Sequence, residues 1–208
     1  IKGILDTRGI TSVTSDTLKQ IDGYAYSAIL NGNPEEAELA KALLTMLFAS
    51  SASVADHTKE LIEALINAQN RGDLDRARVI AGALTLIHSV KPIPAAQAQV
   101  LLKQENLWAL FNSSDARLNK SAQALIISLL TNPASVSDAE YTAQLSGIAN
   151  NLNANVKNNV PVPSYVPTAN RLINMVNYLN YIRPIPVNTM SALKLAMTPY
   201  LPNQEPIK

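Results

Sequence analysis

Two histidines supply the only imidazole groups in this sequence, which could act as bases or as nitrogen ligands to a metal. His57 lies at the start of a predicted helix, and Glu60 follows three residues later on the same helix face. A metal site needs a third and a fourth ligand, so this spacing predicts a surface pair at a helix start. His88 lies near the end of an apolar helix, where the helix dipole favours a positively charged imidazole. We expect His88 to have a structural role.

Acidic residues cluster at two places, and a hydrolase could use two carboxylates held at a fixed separation. One cluster contains Glu35, Glu36 and Glu38, and the other contains Asp73 and Asp75. Both clusters fall in the first turns of predicted helices. Capping and the positive end of the helix dipole explain acidic residues at such positions without catalysis.

The short motifs of the common enzyme classes are absent from the sequence. The chain has only 7 glycines, and none of them forms a phosphate-binding loop. The G-x-S-x-G, H-E-x-x-H and calcium-loop patterns are missing too. Because the chain has no cysteine, a disulfide, a thiolate nucleophile and a zinc finger are excluded. We therefore predict no catalytic, cofactor-binding or metal-binding residues.

The net charge of the chain argues against nucleic acid as a partner. A net charge of +1 gives no overall attraction to a phosphate backbone, so nucleic acid is the weakest of the partner hypotheses. Hydrophobic residues make up 47% of the chain, which excludes disorder caused by low hydrophobicity. No apolar stretch approaches the roughly 20 residues that cross a bilayer. We expect a soluble, folded protein without a transmembrane segment.

Helix start and stop signals recur along the whole chain, whereas the alternation typical of strands is almost absent. Nine helices are predicted, and the fifth is expected to kink around Glu105-Asn106. Residues 160–167 contain three prolines and are predicted to form an extended connector, after which Thr168 caps a helix. The predicted helices cover about 14–31, 34–50, 53–71, 74–90, 95–112, 115–130, 137–150, 168–182 and 188–198. Asn33, Ser53, Asp73 and Asn188 are predicted to cap the second, third, fourth and ninth of them.

Three short segments suggest an internal duplication, because each stands ten residues before a leucine. They are Arg8-Gly9-Ile10-Thr11, Lys91-Pro92-Ile93-Pro94 and Arg183-Pro184-Ile185-Pro186. These segments predict one all-α domain over 1–208, with repeat units of about 8–90 and 91–182 and a partial third unit at 183–208. Chance agreement between alanine-rich helix starts is the alternative explanation.

The second predicted unit carries the candidate binding surface. The segment from Ser135 to Arg183 is about ten residues longer than the matching segment from Ser53 to Lys91, and insertions in repeats often lie on the binding face. The next helix has a polar stripe of asparagines at 170, 174 and 177. The candidate surface, mildly basic and rich in asparagine and tyrosine, contains Tyr165, Arg171, Asn174, Tyr178 and Tyr181.

These features predict an all-α protein, a helical bundle or a short α-solenoid of two related four-helix units with a terminal helix pair. We expect a non-enzymatic structural or protein-interaction module that belongs to a larger exported or assembled protein. A protein partner or self-assembly is the leading hypothesis, and the composition favours an extracellular or cell-surface location. The alternatives are a domain that binds a small ligand, carbohydrate or peptide, and an α-helical enzyme with a cleft between the units.

Overall fold

A computed structural model describes residues 15–50, 57–158 and 162–201 of the chain, and these residues form helices and turns without a strand. The all-α prediction is therefore confirmed for this part of the chain. The nine helices in it are α1 (Ser15–Asn31), α2 (Pro34–Ser50), α3 (Thr58–Asn70), α4 (Leu74–Val90), α5 (Ala95–Leu101), α6 (Ala116–Thr131), α7 (Asp138–Lys157), α8 (Val162–Ile182) and α9 (Val187–Met197).

Four of the predicted helix starts make capping hydrogen bonds. Asn33 Oδ1 accepts from the Glu36 N–H, and the Glu36 carboxylate accepts from the Asn33 N–H in return, which forms a capping box. Asp73 and Ser137 each accept a hydrogen bond from the backbone N–H three residues later. Asp115 accepts from two N–H groups at the start of α6. Local sequence signals therefore fix where these helices begin.

The kink predicted in the fifth helix is present. A π-helical turn, Gln104–Trp108, follows α5, and Asn106 within it has a non-helical backbone with φ −103° and ψ −110°. The Asn106 side-chain amide donates to the Val100 carbonyl at 2.6 Å. This contact replaces the regular helical hydrogen bonds that the break removes.

The prediction of an extended connector at 160–167 is wrong for the residues that the structure describes. Helix α8 begins at Val162 and includes Pro167, so Thr168 lies inside the helix and does not cap it. Pro167 is only five residues beyond the first helical residue, so its missing N–H removes a single bond close to an end where N–H groups lack partners anyway. The predicted cap at Asn188 is also wrong, because α9 begins at Val187 after Pro186.

The first of two compact units ends at Ser128. Helix α4 is its central element and packs against α1, α2 and α3. Its apolar side chains point in nearly every direction, as a helix surrounded by others requires. The core of this unit includes the buried side chains of Ile29, Leu44, Leu61, Leu65, Ile80, Leu84, Ile87, Leu101 and Phe111.

The second compact unit begins at Leu129. Helices α7 and α9 pack against each other in it, and the Tyr200 hydroxyl donates to the Leu152 carbonyl at 3.0 Å. Its core includes the buried side chains of Tyr141, Leu145, Leu152, Met175, Leu179, Leu193 and Ala196. No helix in the described part of the chain combines the length and the apolar character needed to cross a membrane.

The repeat and the single-domain organisation stay predictions. The first anchor, Arg8–Thr11, and the predicted helix cap Ser53 lie outside the described residues. The two later anchors form turns between helices, at 91–94 and at 183–186.

Candidate functional site

Helix α8 carries four of the five residues of the predicted surface on one side. With about 100° of rotation per residue, positions 171, 174, 178 and 181 lie along one stripe of the helix. Tyr178 is 51% exposed and Tyr181 is 88% exposed, and Asn174 is exposed as well. Arg171 is half-buried at the edge of the stripe, where its guanidinium group donates to the Thr168 hydroxyl at 3.0 Å.

Tyr165 is not in the connector where it was expected. Its backbone lies at the end of the first turn of α8, six residues before Arg171. Six residues correspond to about one and two-thirds helical turns, so position 165 is not part of the stripe.

The exposed side of α8 is almost free of charge. Asn170 and Asn177 are exposed on the same side as Asn174 and the two tyrosines. We call this set of residues, Asn170, Asn174, Asn177, Tyr178 and Tyr181, the Asn/Tyr face. The opposite side of the helix is buried, as predicted, through Leu172, Val176 and Leu179.

Helices α4 and α8 have related burial patterns when positions 92 residues apart are compared. Five pairs are buried in both helices: Ala77 and Ala169, Ile80 and Leu172, Ala83 and Met175, Leu84 and Val176, and Ile87 and Leu179. In the same register, the Asn/Tyr face corresponds to Arg78, Gly82, Thr85, Leu86 and Ser89. The first four of these α4 residues are half-buried, whereas their α8 counterparts are exposed.

His57 does not form the predicted surface pair with Glu60. Its Nε2 lies 3.0 Å from the carboxylate of Asp22, a buried residue on α1, and its ring stacks on Tyr26 with a centroid distance of 4.3 Å. Burial raises the Tyr26 pKa, and the negative charges of Glu60 and Glu63 raise it further. His57 therefore connects the start of α3 to α1.

His88 is buried, and its ring hydrogen bonds indicate a neutral imidazole. Its Nδ1 accepts from the Ile93 N–H at 3.0 Å, so its Nε2 carries the proton and donates to the Ser128 carbonyl at 3.1 Å. Burial lowers the His88 pKa, and the bond to Ser128 opposes this shift only in part. Desolvation therefore outweighs the helix dipole, which favours a positively charged imidazole, and His88 attaches the turn after α4 through its two ring hydrogen bonds.

The acidic cluster at 73 and 75 lines a cavity of about 240 Å³ together with Arg76. The Arg76 guanidinium donates to the carbonyls of Ile29 and Gly32, both at 2.7 Å, and Asp73 caps α4. These groups are occupied by contacts that hold α4 against the end of α1. The cap formed by Asp73 agrees with the prediction that capping explains acidic residues at this helix start.

A basic groove in the first unit was not anticipated from the sequence. It encloses about 420 Å³ between α2, α4 and α6, and Lys41, Arg78, Arg117 and Lys120 line it. Glu38 accepts hydrogen bonds from both Lys41 and Arg78. Burial alone would raise the Glu38 pKa, but these two cations hold it below its ordinary value. The only sequence signal was the pair of cations three residues apart at the start of α6.

Arg183 is a buried cation in the second unit and does not contribute charge to the mildly basic candidate surface. Its side chain is 10% exposed and donates to the carbonyls of Leu130 and Val136, both at 2.8 Å. It also lies 4.5 Å from the centre of the Tyr141 ring. Burial raises the Tyr141 pKa to about 12, although the positive charge of Arg183 opposes this. Arg183 therefore serves the packing of the second unit.

No group of three or more potential metal-ligating side chains occurs among the described residues. Comparison with known proteins adds no functional assignment: no family model, no curated protein and no solved structure matches this chain.

Proposed function

We propose that this protein is a non-enzymatic interaction module that associates with a second copy of itself through the Asn/Tyr face of α8. The observation that carries this proposal is the exposure of two neighbouring tyrosines, Tyr178 and Tyr181, on one side of a helix. Tyrosine contributes a large apolar area and a polar hydroxyl to interfaces, and is among the residues that dominate binding energy.

The chemistry of the face supports a second copy as the partner. In a symmetric dimer, the same patch meets itself, so every group must tolerate its own kind. An asparagine amide has both donors and acceptors, and a tyrosine hydroxyl can do both as well. Arg171 is the only charged residue in α8, and it lies at the edge of the face. Self-pairing of the face therefore brings no like charges to its centre.

The register shared with α4 also supports this proposal. Four of the five corresponding α4 residues are half-buried, and these four line a groove to which α2 and α6 contribute. The same side of α8 is exposed, although the rest of the helix repeats the burial pattern of α4. We infer that 8–90 and 91–182 are related units, and that the Asn/Tyr face is an assembly surface in the second.

The first test is sedimentation velocity on the purified chain over a range of concentrations, with Tyr181→Ala as the variant. We expect the native chain to dimerise and the variant to dissociate at least about tenfold more readily, since the substitution removes a tyrosine from both copies and each loss should cost about 1 kcal/mol or more. Tyr24→Ala is the matched control, because Tyr24 is 67% exposed on α1 in the first unit. A native chain that stays monomeric, or equal effects of the two variants, would contradict the proposal.

A further inference from the structure

The basic groove brings four cationic side chains together around one space. We propose that it is a binding site for a small molecule that carries a multivalent oxyanion, such as a phosphate group or a pair of carboxylates. This site is independent of the Asn/Tyr face, because all its residues lie in the unit that ends at Ser128.

Charge is the first argument. Four of the groove-lining side chains are cations, and the lining contains no acid. Glu38 neutralises one charge of the Lys41 and Arg78 pair, and Asp75 lies 3.9 Å from Arg78 Nε at a site that is 75% exposed. Arg117 and Lys120 are exposed on the opposite wall. Cations that converge on a partly enclosed space attract an anion more strongly than isolated surface charges do.

Two of the four cations are held in place before any ligand arrives. The side chains of Lys41 and Arg78 are each only 20% exposed, and Glu38 bonds to both. A binding group fixed in this way loses little conformational entropy when a ligand binds.

Small residues line part of the groove between the cations. A Cβ atom at Gly82 would lie 3.3 Å from the Lys41 ammonium nitrogen, so the glycine leaves room for this group beside α4. Ser121 and Ala124 lie on α6 across the groove. The volume of about 420 Å³ falls in the range of small-molecule sites and exceeds the size of one inorganic phosphate ion. The groove therefore has room for the body of a ligand beside its anionic group.

Isothermal titration of the full chain with pyrophosphate, and separately with citrate, tests the proposal at low ionic strength. We expect saturable binding of at least one probe, which weakens as salt approaches about 150 mM. Tighter binding of pyrophosphate would identify a phosphorylated ligand, and tighter binding of citrate a polycarboxylate. Failure of both probes to bind at millimolar concentration would overturn the proposal.

The double variant Arg117→Gln/Lys120→Gln locates the site without disturbing the core, because both side chains are exposed. We expect binding to weaken about tenfold, because both removed charges attract the anion; this factor corresponds to about 1.4 kcal/mol for the two charges together. Arg71→Gln/Lys103→Gln is the matched control, as it removes the same charges from exposed positions outside the groove. Equal weakening by the two double variants would show general charge attraction and overturn the proposal.

Ala124→Glu gives a second test that does not depend on removing cations. Ala124 is exposed on α6, and glutamate is a good helix former, so we expect the helix to be retained. A carboxylate in the groove should abolish binding of both probes by repulsion. Unchanged binding in a folded Ala124→Glu chain would place the anion elsewhere and overturn the assignment.

Discussion

The turn between α4 and α5 and the turn between α8 and α9 have the same backbone design. In each, the isoleucine of a basic-Pro-Ile-Pro segment is buried, and its N–H donates at 3.0 Å to the side chain five residues earlier. That acceptor is His88 Nδ1 in the first turn and Asn180 Oδ1 in the second. In both turns the second proline supplies a carbonyl that accepts, at 2.9 Å, from an N–H of the next helix.

The two turns differ in the side chain that connects them to the rest of their unit. His88 uses its second ring nitrogen to reach the Ser128 carbonyl, whereas Asn180 is exposed. In the second turn, Arg183 makes the connection through the carbonyls of Leu130 and Val136. Its counterpart Lys91 is exposed. The four-residue segment therefore specifies the turn, and different residues connect each turn to the rest of its unit.

Replacing Arg183 should cause the largest loss of unfolding free energy among the residues of the two turns. Arg183→Met removes the donor to two carbonyls and the contact with Tyr141, and we expect a loss of about 3 kcal/mol of unfolding free energy. Lys91→Met should cost less than about 1 kcal/mol, because Lys91 is exposed. Urea unfolding followed by circular dichroism measures both. Similar losses in the two variants would show that the turns are attached in the same way.

Removing the acceptors should give the next largest difference. His88→Ala breaks two hydrogen bonds at a buried site, so we expect a loss of about 2–3 kcal/mol. Asn180→Ala breaks the equivalent bond at an exposed site, where water can replace the acceptor, and should cost about 1 kcal/mol. The same unfolding measurement applies. A greater loss from Asn180→Ala would contradict the assigned roles.

Acidification should weaken the first turn but not the second. The folded chain keeps the His88 pKa below its ordinary value, so the unfolded chain binds the proton more readily. The stabilisation is complete above the unfolded pKa of about 6.5 and decreases as the pH falls toward the folded pKa, by at most about 1.4 kcal/mol per pH unit. Comparing unfolding of the native chain and of His88→Gln from pH 7.5 to 5 isolates this residue. Parallel pH profiles would contradict a neutral, buried His88.

The smallest expected effects concern the part that the two turns share. Ile93→Val and Ile185→Val each remove one methylene group from a buried side chain, and each should cost about 0.5–1.5 kcal/mol. The two losses should agree within about 0.5 kcal/mol. A clear difference, measured by urea unfolding, would mean that the two isoleucines are packed unequally despite the common turn.

The sequence predicted helix starts well where a capping side chain and its backbone partner are close in the chain. The capping box at Asn33 and the cap at Asp73 depend on a side chain and an N–H three residues apart, so the sequence alone identifies them. The connector before α8 was predicted wrongly because proline rules ignore position within a helix. Near its start, Pro167 removes only one bond, and the buried face further along, from Ala169 to Leu179, stabilises the whole helix.

The candidate sites depended more on tertiary structure. The exposed side of α8 follows from helical periodicity, so Asn174, Tyr178 and Tyr181 could be grouped from the sequence. The basic groove could not, because Lys41, Arg78 and Arg117 are far apart in the chain and meet only when α2, α4 and α6 pack. The burial of Arg183 was missed for the same reason, since its acceptors are about fifty residues away.

The most direct test of self-association uses opposite charges at the centre of the Asn/Tyr face. Asn174 lies midway along this exposed face, and a two-fold axis through the middle of the face would bring this central residue close to its own copy. In sedimentation velocity, Asn174→Asp alone and Asn174→Lys alone should both be monomeric through self-repulsion. An equimolar mixture of the two should restore the dimer. A mixture that stays monomeric, or single variants that dimerise like the native chain, would contradict the account.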